Sequence, residues 1–353
     1  MPARLARSVA WRIVPFVDRL RASSRRVHLD SAALVVAAMK RSNLVEMDVA
    51  PIAERLEILT RSLDREASLT IQGRRDAHRD LVDLLVERAR LLDAILHQPR
   101  LTTTPFDPPI VLAGLPAAGL DLLGDLLAAD RGLRTPTPPD LGSLDLASWE
   151  FELRWNVPAY AEWIDRADLT NSYRLARAQL SRSQSSEPAE RWVLASPQHV
   201  ERTAEIASVF PGATVVRLHR DPVVVVTELA RDVAERRGSA SAVVNPSTIG
   251  RYWSWRFGRM AQRALDAGSP TELTFVDVQH ADLVGDPIGT VDRVLSRAGR
   301  TLDAAARSTL SRVIAGRPAE RIVADPAAFG IDPADLRRRI APYSTGHDVR
   351  PEI

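Results

Sequence analysis

The sequence predicts an α/β protein with a central parallel sheet covered by helices on both faces. Three observations predict it. Ile110-Val111-Leu112-Ala113, Trp192-Val193-Leu194-Ala195 and Thr214–His219 are short runs of the length and type of strands buried on both faces. Stretches with apolar residues three and four apart, as in helices, alternate with them, which favours parallel pairing. A turn from Gly114 to Gly119 joins the first run to a helix carrying Leu122, Leu123, Leu126 and Leu127.

Residues 1–26 carry seven Arg against Asp18, with Leu5, Val9, Ile13, Phe16 and Leu20 on one helical stripe. Arg12 and Pro15 interrupt the apolar region that a signal peptide would need. Two readings stay open: a helix lying on an anionic membrane surface, or an extension packed on its own domain or a partner. Ser31 to about Pro99 reads as helices, with Leu81, Leu84, Leu85, Ala89, Leu92, Ile95 and Leu96 forming the longest stripe. Residues 1–100 are therefore expected to be a helical extension, and 101–353 the α/β domain. Arg131–Asp145, rich in Pro, Gly and Asp, reads as a loop. Trp149–Arg177 reads as helical with a break at Val157-Pro158. Ser181–Arg191 reads as an exposed low-complexity loop. A second strand–helix–strand unit follows, its helix running from about Gln198 to Phe210. The segment after Arg220-Asp221-Pro222 reads as helix despite four valines, because proline opens it and a charged tail closes it. Ile249–Ala267 reads as a helix, Thr271–Val278 as a strand, Pro287–Gly299 as a helix, and the remainder as helical.

The 353 residues are 45% apolar and 26% charged, ample for a packed core. The net charge of +2 gives no reason to expect a nucleic-acid protein. Lys40 is the only lysine among 47 cationic residues, so the high pI reflects arginine. That usage suggests a bacterial source, and the expected location is the cytoplasm, with membrane contact through residues 1–26. Without cysteine there is neither a disulfide nor a thiolate site. No His, Asp and Glu group has metal-ligand spacing along the chain.

Strand, glycine turn and helix form the layout of a phosphate-binding loop, where backbone N–H groups and a helix dipole converge on an anion. Yet Gly114–Gly119 holds no Lys, Arg, Ser or Thr. An ATP-type Gly-x4-Gly-Lys-[Ser/Thr] motif is absent from the chain.

From about Glu46 to Ile353 the chain resembles the bacterial sulfotransferases that use 3′-phosphoadenosine 5′-phosphosulfate (PAPS). GLPAAGLDLL stands where that family has Gly-x-Pro-Arg-Thr-Gly-Thr-Thr-Leu-Leu. WVLASPQH (Trp192–His199) is similar to its Trp-Val-Leu-Lys-Ser-Pro-Gln-His, and FPGATVVRLHRDPVVVV (Phe210–Val226) to its second nucleotide motif. YWSWRFGRM, DVQHADLVGDP and FGID…APY…DVR follow in the family's order. The resemblance implies a three-layer α/β/α fold related to P-loop kinases. It also implies a 5′-phosphosulfate site at Gly114, Pro116, Ala117, Ala118, Gly119, Leu120 and Asp121, and a 3′-phosphate site at Arg220 and Glu228.

The family's loop Arg falls on Ala117, its Thr residues on Ala118, Leu120 and Asp121, its Lys-Ser-Pro Lys on Ala195, and its phosphate-binding Ser on Glu228. Asp121 is expected to satisfy the free N–H groups of its own helix start, as an internal anion. Arg220 is expected to pair with a 3′-phosphate, or else with Asp221 or a helix cap; Glu228 could neutralise it. His199 and His219, read as ending two adjacent strands, are the candidate bases for an acceptor hydroxyl, or else structural histidines. Three functions follow. One is sulfuryl transfer from PAPS to a hydroxyl of a small molecule, lipid or glycan. Another is a catalytically inactive homologue that binds a partner. The third is a different transferase or nucleotide-binding protein on the same fold.

Overall fold

The computed structural model describes residues 27–44, 46–136, 140–316 and 324–352. The basic segment 1–26 lies outside them. Three helices come first: α1 (Ser31–Ser42), α2 (Ala53–Arg65) and α3 (Ile71–His97). Asp30 and Thr70 cap α1 and α3, each side-chain oxygen accepting a backbone N–H at 2.9 Å, from Ala33 and Gly73. The leucine stripe of α3 is buried at Leu81 and Leu85, while Leu96 is exposed. These helices share one core with the rest of the chain, running from Leu29 to Ile340.

The sheet contains β1 (Ile110–Ala113), β2 (Leu133–Arg134), β3 (Arg191–Ala195), β4 (Thr214–His219) and β5 (Thr274–Gln279). Their order is β2-β3-β1-β4-β5, and every pairing is parallel. β1 is central, and each of its four residues is at most 2% exposed. That burial is why β1 reads as an unbroken apolar run and not an alternating one. The crossovers are α4 (Leu120–Leu127), α5 (Glu150–Arg154), α6 (Pro158–Arg166), α7 (Thr170–Ser186), α8 (Thr203–Val209), α9 (Pro222–Ala240) and α10 (Pro246–Ala267). After β5 come α11 (His280–Gly285), α12 (Pro287–Arg297), α13 (Ala304–Ala315) and α14 (Pro333–Gly346). Among the described residues, no helix is long and apolar enough to cross a membrane.

Three local expectations are corrected. Helix α7 continues to Ser186, through half of the expected exposed loop. Leu180 and Ser181 are fully buried there, and Ser181 Oγ donates to Thr104 O at 3.2 Å, so packing overrides a serine-rich composition. Residues 131–145 contain edge strand β2 and a 3₁₀ turn, since Leu133 and Arg134 pair with Arg191 and Trp192. After β3, one 3₁₀ turn (Pro197–Glu201) precedes α8 in place of a single helix.

Helix α10 docks through a buried charge pair. Arg256 is 1% exposed and donates two bonds to Glu201, at 2.6 and 3.1 Å, while its guanidinium lies 4.1 Å from the Trp149 ring. Arg263 and Asp165 extend the network. Removing one partner strands a buried charge, which costs roughly 3–5 kcal/mol. Glu201→Ala is therefore expected to lower unfolding free energy by that amount in denaturant titrations. The apolar double variant Glu201→Leu/Arg256→Met should recover most of it. A single-variant loss below about 1 kcal/mol would show that this pair does not dock α10.

Candidate functional site: a closed anion loop

Open parallel sheets bind ligands at the carboxyl ends of their strands, where crossovers diverge. Here that point lies where β1 and β4 end side by side, with Ala113 paired to Arg217. The β1 chain leaves through Gly114, makes one 3₁₀ turn at Pro116–Ala118, and enters α4. Gly119 has φ +102°, which a side chain would strain. A Cβ at Gly114 would stand 2.7 Å from Leu218 Cβ of β4. Both glycines are thus required by the turn itself, independently of any ligand.

The turn closes on itself. Ala118 N–H donates to Leu115 O and Gly119 N–H to Pro116 O, both at 2.9 Å. Pro116 has no N–H. Two backbone donors of the turn are therefore engaged within it. Asp121 does not fill the gap as expected. Its side chain is exposed, no side chain caps α4, and among the described residues nothing donates to the Asp121 carboxylate. Loss of part of its hydration, with Asp125 close by, raises its pKa. Leu120 is 4% exposed and packs in the core.

Arg220 follows β4 directly and is held on three sides. Its Nε donates to Glu352 Oε1 at 3.0 Å and its Nη2 to Oε2 at 3.0 Å, a bidentate clamp. Its Nη1 donates to Ala117 O at 3.0 Å and lies 3.3 Å from His280 Nε2. The expected 3′-phosphate contact is thus made to an internal carboxylate and a loop carbonyl. The segment carrying Glu352 is pinned in turn: Glu352 N–H donates to Asp221 Oδ2 at 2.6 Å, which also takes Arg337 Nη2 at 2.9 Å. Asp221 itself caps α9 by accepting from Val223 N–H at 2.9 Å. Glu228 does not touch Arg220. Its Oε1 accepts from Ala324 N–H at 2.8 Å, and its Oε2 pairs with Arg231 at 2.6 Å.

The two histidines do not end adjacent strands, because β1 lies between β3 and β4. His199 sits on the 3₁₀ turn after β3, 5% exposed, with Nδ1 3.1 Å from Leu112 O. Its ring lies 5.9 Å from Tyr173, and burial pulls its pKa down to about 4. It lines a small cavity with Asp140, Tyr173, Ala195 and Ser196. His219 lines a second small cavity with Gly114, Leu115, Ala118 and Arg220. Its Nε2 lies 2.7 Å from Asp277 Oδ1 and its Nδ1 2.9 Å from Tyr343 Oη. Burial lowers the His219 pKa despite that carboxylate. Burial also disfavours the charged form of Asp277, but bonds from His219, His347 and Arg217 outweigh it and hold the group far below the carboxylate range.

With this geometry in place, comparison with known proteins is decisive for kinship. Residues 108–304 match the family described as the sulfotransferase family. The chain belongs to the sulfotransferase family. Its fold is shared with the crystal structure of sulfotransferase STF9 from Mycobacterium avium: TM-score 0.83, 18% identity, covering 94% of this chain and all of that one. It is shared likewise with sulfotransferase STF1 from Mycobacterium tuberculosis H37Rv: TM-score 0.78, 22% identity, covering 90% of this chain and all of that one. No curated protein matches the sequence. The turn from Gly114 to Gly119 in this chain holds no cationic or hydroxyl side chain. Glu352, Tyr343, His347 and Asp277 were not legible as site residues. Asp277 and Tyr343 lie in the matched stretches DVQHADLVGDP and APY…DVR, but nothing in those stretches marks their side chains as meeting at the end of β4.

Because the His199 pKa is lower folded than unfolded, the unfolded state binds more protons between about pH 4 and 6.5. Its contribution to stability is full above that window and falls as pH drops through it, by about 3 kcal/mol at the lower end. Unfolding free energies measured from pH 4 to 7.5 should show a shallower acid decline in His199→Gln than in wild type. Parallel curves would rule out a buried, neutral His199.

Proposed function

We propose that this chain is a non-catalytic member of the sulfotransferase family, which keeps the fold and acts by binding a partner. The observation that carries this is the closure of Arg220. The cation that would hold the 3′-phosphate of PAPS is clamped by Glu352 and capped by the carbonyl of Ala117. PAPS does not fit the residues present. The phosphosulfate end would meet Ala117, Ala118, Leu120 and the Asp121 carboxylate, with no cation or hydroxyl among them. Sulfuryl transfer builds negative charge on the bridging oxygen, and donors aimed there supply much of the rate. Each charge-assisted bond contributes about 1.5–3 kcal/mol, so losing two to three costs on the order of 10³-fold or more. His199 and His219 add no base at this point, since each ring is turned to a structural partner. The seven arginines of residues 1–26 support an anionic membrane surface as the place where such a partner is met.

Calorimetry with adenosine 3′,5′-bisphosphate tests the reading. Wild type is expected to show no binding tighter than about 1 mM. Glu352→Ala frees Arg220 but leaves the loop unchanged, so it should gain at most about tenfold. A micromolar constant for wild type overturns the proposal. A micromolar constant for Glu352→Ala alone also overturns it, because the loop would then be competent and only masked.

A further inference from the structure

Three residues from three distant elements converge beside β4: His219 at its end, Asp277 on β5, and His347 at the close of α14. We propose that His219, Asp277 and His347 form a binding site for one divalent transition metal of the zinc type. One ligand atom from each residue lies within 4.8 Å of the other two. His219 Nε2 stands 2.7 Å, and His347 Nδ1 3.5 Å, from the same Asp277 Oδ1. Zinc holds imidazole nitrogen and carboxylate oxygen at about 2.0–2.2 Å, which places neighbouring ligand atoms of a tetrahedral site about 3.4 Å apart. The two distances bracket that value.

The surroundings suit a metal. Ligating histidines carry a partner on the ring nitrogen away from the ion, which fixes ring and tautomer. His219 has one: its Nδ1 lies 2.9 Å from Tyr343 Oη. Without metal, the Nε2 proton bonds Asp277 and Tyr343 donates to Nδ1. With metal, the ring takes its other neutral tautomer, Nε2 binds the ion, and Nδ1–H donates to Tyr343. The site is also held in place. His219 is fully buried at its side chain, and its ring stacks on His347 at 4.5 Å. Gln279 Nε2 donates to His347 O at 2.7 Å, tying the end of α14 to β5. The Asp277 side chain is 43% exposed, which gives an entry path. A small cavity lined by Ala113, Thr203, Arg217, Tyr343 and His347 adjoins the cluster and leaves room for a water ligand.

Arg217 opposes the metal and sets the expected affinity. It donates to Asp277 Oδ1 at 2.9 Å and Oδ2 at 2.8 Å, and its guanidinium rests 4.6 Å from the Phe275 ring. A carboxylate offers about four lone-pair sites, so Oδ1 accepts both Arg217 and a metal. The adjacent cation weakens the site to the micromolar range, short of the tighter constants of closed zinc sites. Two imidazoles and one carboxylate favour Zn²⁺, Co²⁺ or Ni²⁺ over Mg²⁺ or Ca²⁺. The site is independent of whether a nucleotide binds at Arg220.

Chelator-treated full-length protein titrated with ZnCl₂ in a calorimeter tests this, alongside the visible d–d bands of added Co²⁺. One site per chain of micromolar affinity is expected, with no response to MgCl₂. His347→Ala and His347→Gln should each weaken it at least tenfold, while their metal-free melting transitions remain cooperative. Absence of wild-type zinc binding below about 100 μM overturns the proposal. So does binding equal to wild type in both variants, which would place the metal elsewhere.

Discussion

The approach of the β1–α4 turn to β4 is the constraint on which the site depends. Leu218 fills the space beside Gly114, and Leu283 fills the space over Gly119, each 2.7 Å from where a Cβ would stand. These contacts come from the core, not from any ligand. Leu218 demands glycine at position 114, the positive φ demands it at position 119, and nothing in particular is demanded between them. A phosphate loop has two layers of requirement. Its backbone path is fixed by packing against the sheet, and its charge by side chains in the middle of the turn. In this turn Gly114 and Gly119 meet the first, and the residues between them carry no charged or hydroxyl side chain. The fold does not need the second: Ala118 and Gly119 find acceptors within the turn, and Ala117 O finds Arg220.

Arg220 could not have kept its position unpaired at low cost. Its side chain is 8% exposed, and a cation so withdrawn from water needs a partner. In a nucleotide-binding protein the ligand meets part of that need. In this chain Glu352 supplies the carboxylate and Asp221 positions Glu352 through its backbone N–H. Asp221 also caps α9, whose first turn carries four buried valines. The clamp on Arg220 and the start of the helix that covers the sheet therefore share one carboxylate. That coupling ties the C-terminal segment to the core more firmly than an exposed surface pair, whose contribution is typically below 1 kcal/mol.

The parts legible in the sequence were those governed by short-range periodicity. Ile110–Ala113 reads as a doubly buried strand and is one; Pro222 opens a helix and Val223–Val226 continue it, because proline at the first turn outweighs valine's preference for strands. What failed was long-range. Ser181–Ser186 is helical because Leu180 is buried on the core, which composition does not reveal. The position of Asp121 alone suggests a helix-start anion, but its exposed side chain accepts nothing among the described residues. Glu352 gives no sign of its role, since it lies 132 residues from Arg220.

Asp277 shows why such clusters escape spacing rules yet recur in structures. A parallel sheet brings β4 and β5 into register over six residue pairs, so Arg217 stands opposite Asp277 in the ladder and His219 opposite Gln279. Arg217 and His219 point to the same face of β4, two residues apart, and a carboxylate opposite the first reaches both. The C-terminal end of α14 then crosses this ladder, and Gln279 holds His347 by its carbonyl. One acidic residue is thereby shared among a guanidinium and two imidazoles, a group richer in nitrogen donors than an ion pair requires. Structural need alone would be met by Arg217 and Asp277. The two histidines and Tyr343 go beyond it, and imidazoles gathered at one carboxylate oxygen are the ligand chemistry that zinc-type ions select.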